Sequence, residues 1–384
     1  MNNSPRPLPE GLLLSFYGDD FTGSTATMEA FTFAGLPCTL FLEVPTPERL
    51  ARFAGYRGIG IAGIARSQNP AWMDLHLPGA FRALAALKAP LAHYKVCSTF
   101  DSAPHIGSIG HAIELALPVF APEWVPLLVS APANGRYQAF GSLFAAIAGT
   151  PYRLDRHPVM ARHPVTPMDE ADLGLHLARQ TGLGIGLVDL VAMKSGNGDA
   201  TLQRERARGA RIISLDVVDD ETLIEAGRLI WEQGGTPAFV TGSQGVEHAV
   251  VAYWRAAGLL APAPLTEAPR KAGRSACVSG SCSPVTAGQI RHAEENGFEA
   301  IRLDATRAID AADWDKAVAE AADKALRVLG QGRDPLLFTA TGPDDPAVGA
   351  LHAALATSGA MAGTVNDRIG AGLGSEDQSL AHRR

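Results

Sequence analysis

The 384-residue sequence has few of the features that mark membrane, secreted or nucleic-acid-binding proteins. It contains no uninterrupted apolar stretch of roughly the 18 residues that a membrane-spanning helix needs. Its first residues, MNNSPRPLPEG, lack the cationic segment and apolar block of a secretory signal. Acidic residues outnumber basic ones by 40 to 33, so no positive excess is present to neutralise a phosphate backbone. We therefore expect a cytoplasmic protein with neither a membrane nor a nucleic acid among its partners.

Cysteine is also scarce, with four residues in the chain. Their positions match neither a disulfide framework nor a Cys-x-x-Cys metal site. No spacing of histidine with cysteine or carboxylates is typical of a zinc site, so no metal-ligating residue is predicted. The cysteine usage fits a reducing compartment.

What the sequence has instead is a regular alternation of short apolar runs and Ala-rich helical segments, which predicts βαβ units with mainly parallel sheets. The predicted strands are Leu12–Tyr17, Thr39–Leu42, Gly58–Gly63, Leu91–Lys95, Pro126–Ser130, Ile185–Leu190, Ile212–Val217, Ala238–Thr241, Ala276–Val278, Phe298–Leu303 and Pro335–Thr339. The predicted helices are Met28–Ala34, Gly79–Leu87, Ile109–Leu117, Glu170–Gln180, Asp219–Gln233 and Val246–Ala257.

The length and one irregular segment predict two domains. A chain of this size exceeds a usual single core. Residues 261–275 are rich in proline without periodicity and are typical of a linker. We expect an α/β protein with an N-terminal domain over 12–260, a second α/β domain over 276–384, and a ligand crevice between them.

The first predicted strand ends in two adjacent carboxylates, Asp19 and Asp20, just before a helix that Thr22 or Ser24 could cap. The carboxyl end of a strand in an open α/β sheet is where such sheets bind ligands. The acids could hold polyol hydroxyls, act as a general base or hold Mg²⁺. Asp-Asp-x-Thr-Gly is also good turn and capping chemistry, so a purely structural turn remains the alternative.

Polar loops follow three further predicted strands. They contain Arg66 and Ser67, the cluster Lys95, Ser98, Thr99 and Asp101, and the segment from Asn134 to Arg136. Four polar strand ends predict one crevice lined by acids, cations and hydroxyls, which suits a small polyhydroxy acid. Guanidinium groups can bind its carboxylate bidentately. His163, in a proline-rich loop, could act as acid or base, order the substrate, or be structural.

A second candidate site follows the first strand of the C-terminal domain. Ser279, Gly280, Ser281 and Ser283 lie in a turn between a strand and a helix. Such turns direct backbone N–H groups and hydroxyls onto phosphates. The turn is not a Walker A motif, because no Gly-Lys-Ser/Thr closes it.

These motifs together resemble the four-carbon acid sugar kinase family over about residues 12–374. The matching segments are Asp19–Gly23, Arg66-Ser67, Lys95–Gly110, Asn134–Arg136, His163–Met168 and Ser279–Ser283. The Lys95–Ser102 segment looks most like the 3-oxo-tetronate kinase branch. The resemblance implies an acid-sugar-binding N-terminal domain, an ATP-binding C-terminal domain in which Ser283 contacts nucleotide, and ATP and Mg²⁺ as cofactors. The resemblance leaves open whether the chain forms a homodimer.

The resemblance also predicts a Gly-Gly-[DE]-Thr-Ser motif some way after Gly374, where this sequence continues with a polar segment to Arg384. We expect from this difference that ATP binding is weak and sugar-acid binding is preserved. The main hypothesis is an ATP-dependent kinase of 3-oxo-tetronate, threonate or erythronate, with Asp20 or Asp19 as the base. The alternative is a non-catalytic acid-sugar-binding remnant with a defective ATP site. An oxidoreductase or aldolase on a similar frame is a third alternative.

Overall fold

A computed structural model of the chain describes residues 4–147, 149–163, 165–263 and 273–382, with side chains described as far as residue 374. The chain divides into two compact units, Met1–Thr266 and Glu267–Arg384. Most of the predicted linker, residues 264–272, lies outside the described residues. Within the described part, no helix has both the length and the apolar character needed to cross a membrane.

The first unit is built on an eight-stranded parallel sheet in the order β2-β3-β1-β4-β11-β5-β10-β9. Its strands are β1 (Leu14–Gly18), β2 (Cys38–Phe41), β3 (Gly58–Ala62), β4 (Leu91–Lys95), β5 (Val125–Leu128), β9 (Ile185–Val188), β10 (Ile212–Leu215) and β11 (Ala238–Gly242). The predicted α/β class with mainly parallel sheets is confirmed.

The helices of the first unit cover the sheet on both faces. They are α1 (Phe21–Phe33), α2 (Pro47–Ala51), α3 (Pro70–Ala86), α4 (Ile109–Phe120), α5 (Leu173–Ala178), α6 (Leu190–Lys194), α7 (Gly198–Ala207), α8 (Asp220–Gln233) and α9 (Gly245–Ala256). Strand β4 is buried throughout, with Ala92 and Tyr94 in one hydrophobic cluster and Leu91 in the other. Because side chains alternate along a strand, His93 and Lys95 share the face of Leu91, on which α1, α8 and α9 pack.

A small antiparallel sheet in the first unit was not predicted. It consists of β6 (Arg136–Ala139), β7 (Ser142–Ile147) and β8 (Thr150–Arg153). The turn between β6 and β7 places Phe140 and Gly141 at positive φ, 50° and 78°. The buried carboxylate of Asp216 accepts the backbone N–H groups of both residues. Phenylalanine is an unusual residue for this backbone region, so local sequence gave no hairpin signal.

Three predicted helix starts are wrong. Helix α3 begins at Pro70, after its N-cap Asn69, whereas the sequence predicted a start at Gly79. The other two starts are wrong for one shared reason. Helix α1 begins at Phe21, and its N-cap is Asp20, not Thr22 or Ser24, since the Asp20 side chain accepts the N–H of Gly23 at 2.8 Å. Helix α5 begins at Leu173 because Asp172 caps it, whereas the sequence predicted a helix from Glu170. In both cases an aspartate that satisfies a free backbone N–H sets the first turn.

The second unit has a three-stranded parallel sheet in the order β12-β14-β13. Its elements are β12 (Cys277–Ser279), α10 (Pro284–Glu295), β13 (Phe298–Arg302), α11 (Ala311–Gly330), β14 (Asp334–Phe338), α12 (Pro346–Ser358) and α13 (Ala362–His382). Trp314 of α11 is buried in its hydrophobic core, and the indole N–H donates to the carbonyl of Arg368 in α13.

Candidate active site

Arg66 holds the two adjacent acids at the carboxyl end of β1. Its Nη2 atom lies 2.8 Å from Asp19 Oδ1 and 3.0 Å from Asp20 Oδ1. Its Nη1 donates to Asp20 Oδ2 at 3.1 Å, and its Nε donates to Asp19 Oδ2 at 3.3 Å. The single guanidinium therefore bonds both carboxylates, in the charge-assisted geometry for which arginine is suited.

The backbone around β1 and β3 fixes this arrangement. The Arg66 N–H donates to the carbonyl of Asp19 at 3.0 Å. The loop after β4 packs against the same turn at Gly107, which has a φ of 59°. A Cβ atom at Gly107 would lie 2.4 Å from the carbonyl oxygen of Arg66, so only glycine permits this approach. Three neighbouring strand ends thus position the arginine and the acids.

Lys95 lies beneath the first turn of α1 and is 1% exposed. Its ammonium donates to the carbonyl of Val96 at 2.6 Å. The space that a Cβ atom of Gly23 would fill is 2.7 Å from Lys95 Nζ and 2.4 Å from Asp20 Oδ1. The ammonium and the Asp20 carboxylate therefore flank the same glycine at the helix N-terminus.

The loop after Lys95 adds a third carboxylate. Thr99 Oγ1 donates to Asp101 Oδ1 at 2.7 Å, and Cys97 Sγ lies 2.9 Å from Thr99 Oγ1. Because the threonine proton is directed at Asp101, the thiol is the donor to Thr99. Burial raises the pKa of the Cys97 thiol, and the charge of Asp101 raises it further, which keeps the thiol protonated.

The acids of this cluster differ in their electrostatic environment. Burial raises the pKa of Asp19 above its ordinary value, although the charges of Arg66 and Lys95 oppose this shift. Burial would raise the pKa of Asp101 as well, but the charge of Arg66 and the hydrogen bond from Thr99 lower it below the ordinary value. The side chain of Asp19 is 3% exposed and that of Asp20 is 27% exposed. Asp20 is therefore the acid of this pair that a bound molecule can reach.

Gly23→Ala tests whether this geometry matters for binding. The new methyl group would collide with the ends of two flexible side chains, which can move aside at little cost in stability. We expect the thermal midpoint to change by only a few degrees, while affinity for a sugar acid falls by about tenfold or more, because small misplacements of positioning groups are costly. A melting curve measures the thermal midpoint, and calorimetry measures the affinity for the sugar acid. An unchanged affinity would mean that the placement of Asp20 over Lys95 does not matter for binding.

Two further candidate residues of the first unit, Asn134 and Arg136, lie just before β6 and at its first position. Asn134 is exposed, and its side-chain oxygen accepts from Gln244 at 3.2 Å. Arg136 Nη1 donates to three backbone carbonyls, those of Asn134, Gly135 and Ala146, and its Nε is buried without a partner among the described residues. In that described part, no hydrogen bond joins Asn134 or Arg136 to the acids.

Ser67, Ser98 and His163 show mainly local roles. The Ser67 hydroxyl donates to the carbonyl of Ile64, and Ser98 is half-buried in the loop after β4. His163 Nδ1 accepts from the backbone N–H and the hydroxyl of Thr166 at 3.1 and 3.0 Å. That nitrogen is therefore engaged within its own loop.

Two features of the site loop escaped the sequence argument. Cys97 joins the Thr99–Asp101 chain, although thiols are rarely expected in such chains. Phe100 is fully buried at a positive φ of 55°, a strained backbone for a bulky residue and one that clusters at functional sites. No local pattern predicts such a backbone, because the surrounding packing imposes it.

The Ser279–Ser283 turn connects β12 to α10. Ser283 is the N-cap of α10, and its hydroxyl accepts the N–H of Thr286 at 3.1 Å. The Thr286 hydroxyl in turn donates to Ser281 Oγ at 2.9 Å. Ser279 ends β12, and Gly280 lines a cavity of about 340 Å³ that is mostly apolar. Its other walls include Thr339 after β14, Leu351 of α12 and Ile369 of α13.

Comparison with known proteins agrees with this division into two sites. A family described as "Sugar-binding N-terminal domain" matches residues 14–250, and one described as "Nucleotide-binding C-terminal domain" matches residues 276–384. The chain is 49% identical over 351 residues to a 3-oxo-isoapionate kinase of Paraburkholderia graminis, covering 91% of this chain and 75% of that protein. It is 32% identical over 361 residues to a 3-oxo-tetronate kinase of Methylobacterium radiotolerans, covering 89% of this chain and 77% of that protein.

A solved structure shares the fold. The crystal structure of Haemophilus influenzae protein HI1011 superposes with a TM-score of 0.67 at 22% identity, covering 95% of this chain and 83% of that one. At this level of identity the likeness concerns the fold alone.

Proposed function

Because the chain belongs to the four-carbon acid sugar kinase family, we propose that it is an ATP-dependent kinase that phosphorylates a hydroxyl group of a 3-oxo sugar acid. The observation that carries the proposal is the joint clamp of Asp19 and Asp20 by Arg66 at the carboxyl end of β1. Open α/β sheets bind ligands at this end, where strand order reverses, here between β1 and β4.

We favour 3-oxo-isoapionate over 3-oxo-tetronate as the substrate. The relative named for the former is 49% identical to this chain, and the relative named for the latter is 32% identical. Both names describe a carboxylate with a ketone at position 3, so the same charges and hydrogen-bond donors would serve either acid. The Lys95–Ser102 segment resembles the 3-oxo-tetronate kinase branch, so that acid remains the second candidate.

The exposed acid of the pair is the proposed base. Asp20 is reachable by a substrate hydroxyl and could take its proton as the oxygen attacks the γ-phosphorus of ATP. The new bond joins that oxygen to phosphorus, the bond to the bridging oxygen breaks, and ADP leaves. Asp19 is buried against Arg66, so its proposed part is to hold the guanidinium in place.

Cations for the substrate carboxylate are proposed at the end of β4 and at the start of β6. Lys95 is 1% exposed, so its proposed part is to attract the carboxylate through its charge from beneath the first turn of α1. Arg136 keeps its buried Nε free of described partners, while Nη1 is bound to backbone carbonyls. The other proposed substrate-binding residues are Arg66, Ser67, Ser98, Thr99, Asp101, Asn134 and His163.

For the nucleotide, the cavity beside Gly280 fits a purine in size and lining. Its volume of about 340 Å³ and mostly apolar walls suit a flat ring, with Cys282, His352 and Asn366 as polar edges. The backbone N–H groups of the Ser279–Ser283 turn and of the N-terminus of α10 would lie toward phosphates. Among the described residues, no group of three or more His, Cys, Asp or Glu side chains could hold a metal ion. Mg²⁺ in kinases is commonly held by one or two carboxylates and the phosphates themselves, and would neutralise phosphate charge.

An ADP-release assay with Mg²⁺ and ATP tests the proposal. At saturating ATP we expect acid-dependent ADP release with 3-oxo-isoapionate, lower kcat/KM with 3-oxo-tetronate, and little activity with D-threonate or D-erythronate, which lack the ketone. Turnover of about 1–100 per second, the range typical of kinases, would contradict the weak ATP binding expected from the sequence. Calorimetry with each acid in the absence of ATP supplies the binding arm. Acid binding without ADP release would favour the non-catalytic acid-binding alternative. Release of ADP with threonate in preference to either 3-oxo acid would contradict the substrate assignment.

A further inference from the structure

A buried polar network lies directly beneath the candidate site, between β4, α1 and α9. His93 Nδ1 lies 2.7 Å from Glu247 Oε1, and Thr27 Oγ1 donates to Glu247 Oε2 at 3.3 Å. His93 is 2% exposed, and Thr27 and Glu247 are fully buried. Burying a carboxylate costs free energy unless its oxygens are hydrogen-bonded, so Glu247 depends on the partners that His93 and Thr27 provide.

The histidine is fixed on both sides. Its Nε2 lies 3.1 Å from the carbonyl oxygen of Gly242, which can only accept, so Nε2 carries a proton. Its Nδ1 faces Glu247, and one proton lies between these two groups. The network therefore ties the end of β11 and the middle of β4 to α9, and through Thr27 to α1.

The spacing of the contacts shows what the network holds. Gly23 and Thr27 lie one turn apart on the same face of α1, a rise of about 6 Å. His93 and Lys95 are two residues apart on the same face of β4, about 6.6 Å. Gly23 packs over Lys95, and Thr27 reaches His93 through Glu247. The two contact points therefore fix α1 on β4 in one register.

We propose that Glu247, with His93 and Thr27, is a positioning residue for the substrate-binding turn Asp19–Gly23. The expected change in KM rests on the proposed function, whereas the expected loosening of α1 rests on the geometry alone. These three residues do not contact the substrate. They hold the N-terminus of α1, which Asp20 caps, in its position over Lys95. A helix free to slide by a fraction of a turn would separate Asp20 from Lys95 and from Arg66.

Thr27→Val removes the hydroxyl from α1 at constant size and is the sharpest test. We expect faster amide hydrogen exchange in Phe21–Phe33, and a rise of about tenfold in KM for the sugar acid, because the buried carboxylate loses a partner. The KM for ATP should stay unchanged, which a general loss of stability would not produce. Thr27→Ala should repeat the pattern, and Thr27→Ser, which keeps the hydroxyl, should restore parent values.

Thr201→Val is the matched control, since Thr201 is buried in α7 next to the far edge of the sheet. It should leave both the exchange of α1 and the KM for the acid unchanged. Unchanged exchange of α1 in Thr27→Val would overturn the positioning inference, as would an equal rise in both KM values. A parent chain that neither binds nor phosphorylates a sugar acid would contradict the proposed function instead, and the exchange measurement would still decide the structural part.

Discussion

Asp20→Asn is expected to reduce sugar-acid turnover by at least about a hundredfold, within the range by which a positioned base accelerates proton transfer. The substitution removes the negative charge that Arg66 bonds and that is proposed to accept the proton of a substrate hydroxyl. It should not unfold the helix, because asparagine is as good an N-cap as aspartate and can still accept the N–H of Gly23. Steady-state kinetics and calorimetry on the variant measure the loss of catalysis and of affinity separately.

A matched control for this variant is available in the same unit. Asp189 caps α6, and its side chain accepts the N–H of Ala192 at 2.8 Å. Asp189→Asn changes charge and cap in the same way at a site that we assign no part in binding, so its kinetics should equal those of the parent. If Asp20→Asn also behaves like the parent, the acids form only a turn, which is the structural alternative raised by the sequence.

The sequence predicted the sheet architecture well because buried parallel strands have a strong local signature. Leu91–Lys95 was predicted at its observed bounds, since five consecutive residues between turn-forming segments are buried. The acids, Arg66 and Lys95 were expected in one crevice from the rule that parallel strands end at one edge. The structure places these four residues together at one edge of the sheet.

What the sequence could not predict depends on distant residues. The hairpin of β6 and β7 relies on Asp216, which lies about 75 residues further along the chain. Glu247 reaches His93 across 154 positions. Arg66 was expected to bind the substrate carboxylate, and that role stays a prediction. The bonds of its guanidinium to the two acids were not predicted. Such pairings are set by tertiary packing, and no local pattern encodes them.

Arg66→Met is expected to destabilise the first unit by up to about 3–5 kcal/mol, because it leaves the buried charge of Asp19 uncompensated; the partial exposure of Arg66 makes this an upper value. Asp19 is the charge left behind, 2% exposed and next to Asp20. Chemical unfolding at pH 7 measures this cost. Arg179→Met is the control: its salt bridge to Asp169 is exposed on both sides, so its loss should cost only about 0–1 kcal/mol.

The pH dependence of Arg66→Met distinguishes an uncompensated Asp19 from a simple loss of packing. Burial raises the pKa of Asp19 in the folded parent, and Arg66 opposes that shift, so removing the guanidinium raises the pKa further. A carboxyl group with a raised folded pKa contributes its stability below the unfolded pKa of about 3.9 and loses it as pH rises through the folded pKa. The stability of Arg66→Met should therefore fall more steeply than that of the parent as pH rises above about 4. Adding Asp19→Asn should recover most of the loss at pH 7 and flatten the profile. Equal pH profiles for parent and variant would mean that Arg66 does not neutralise Asp19.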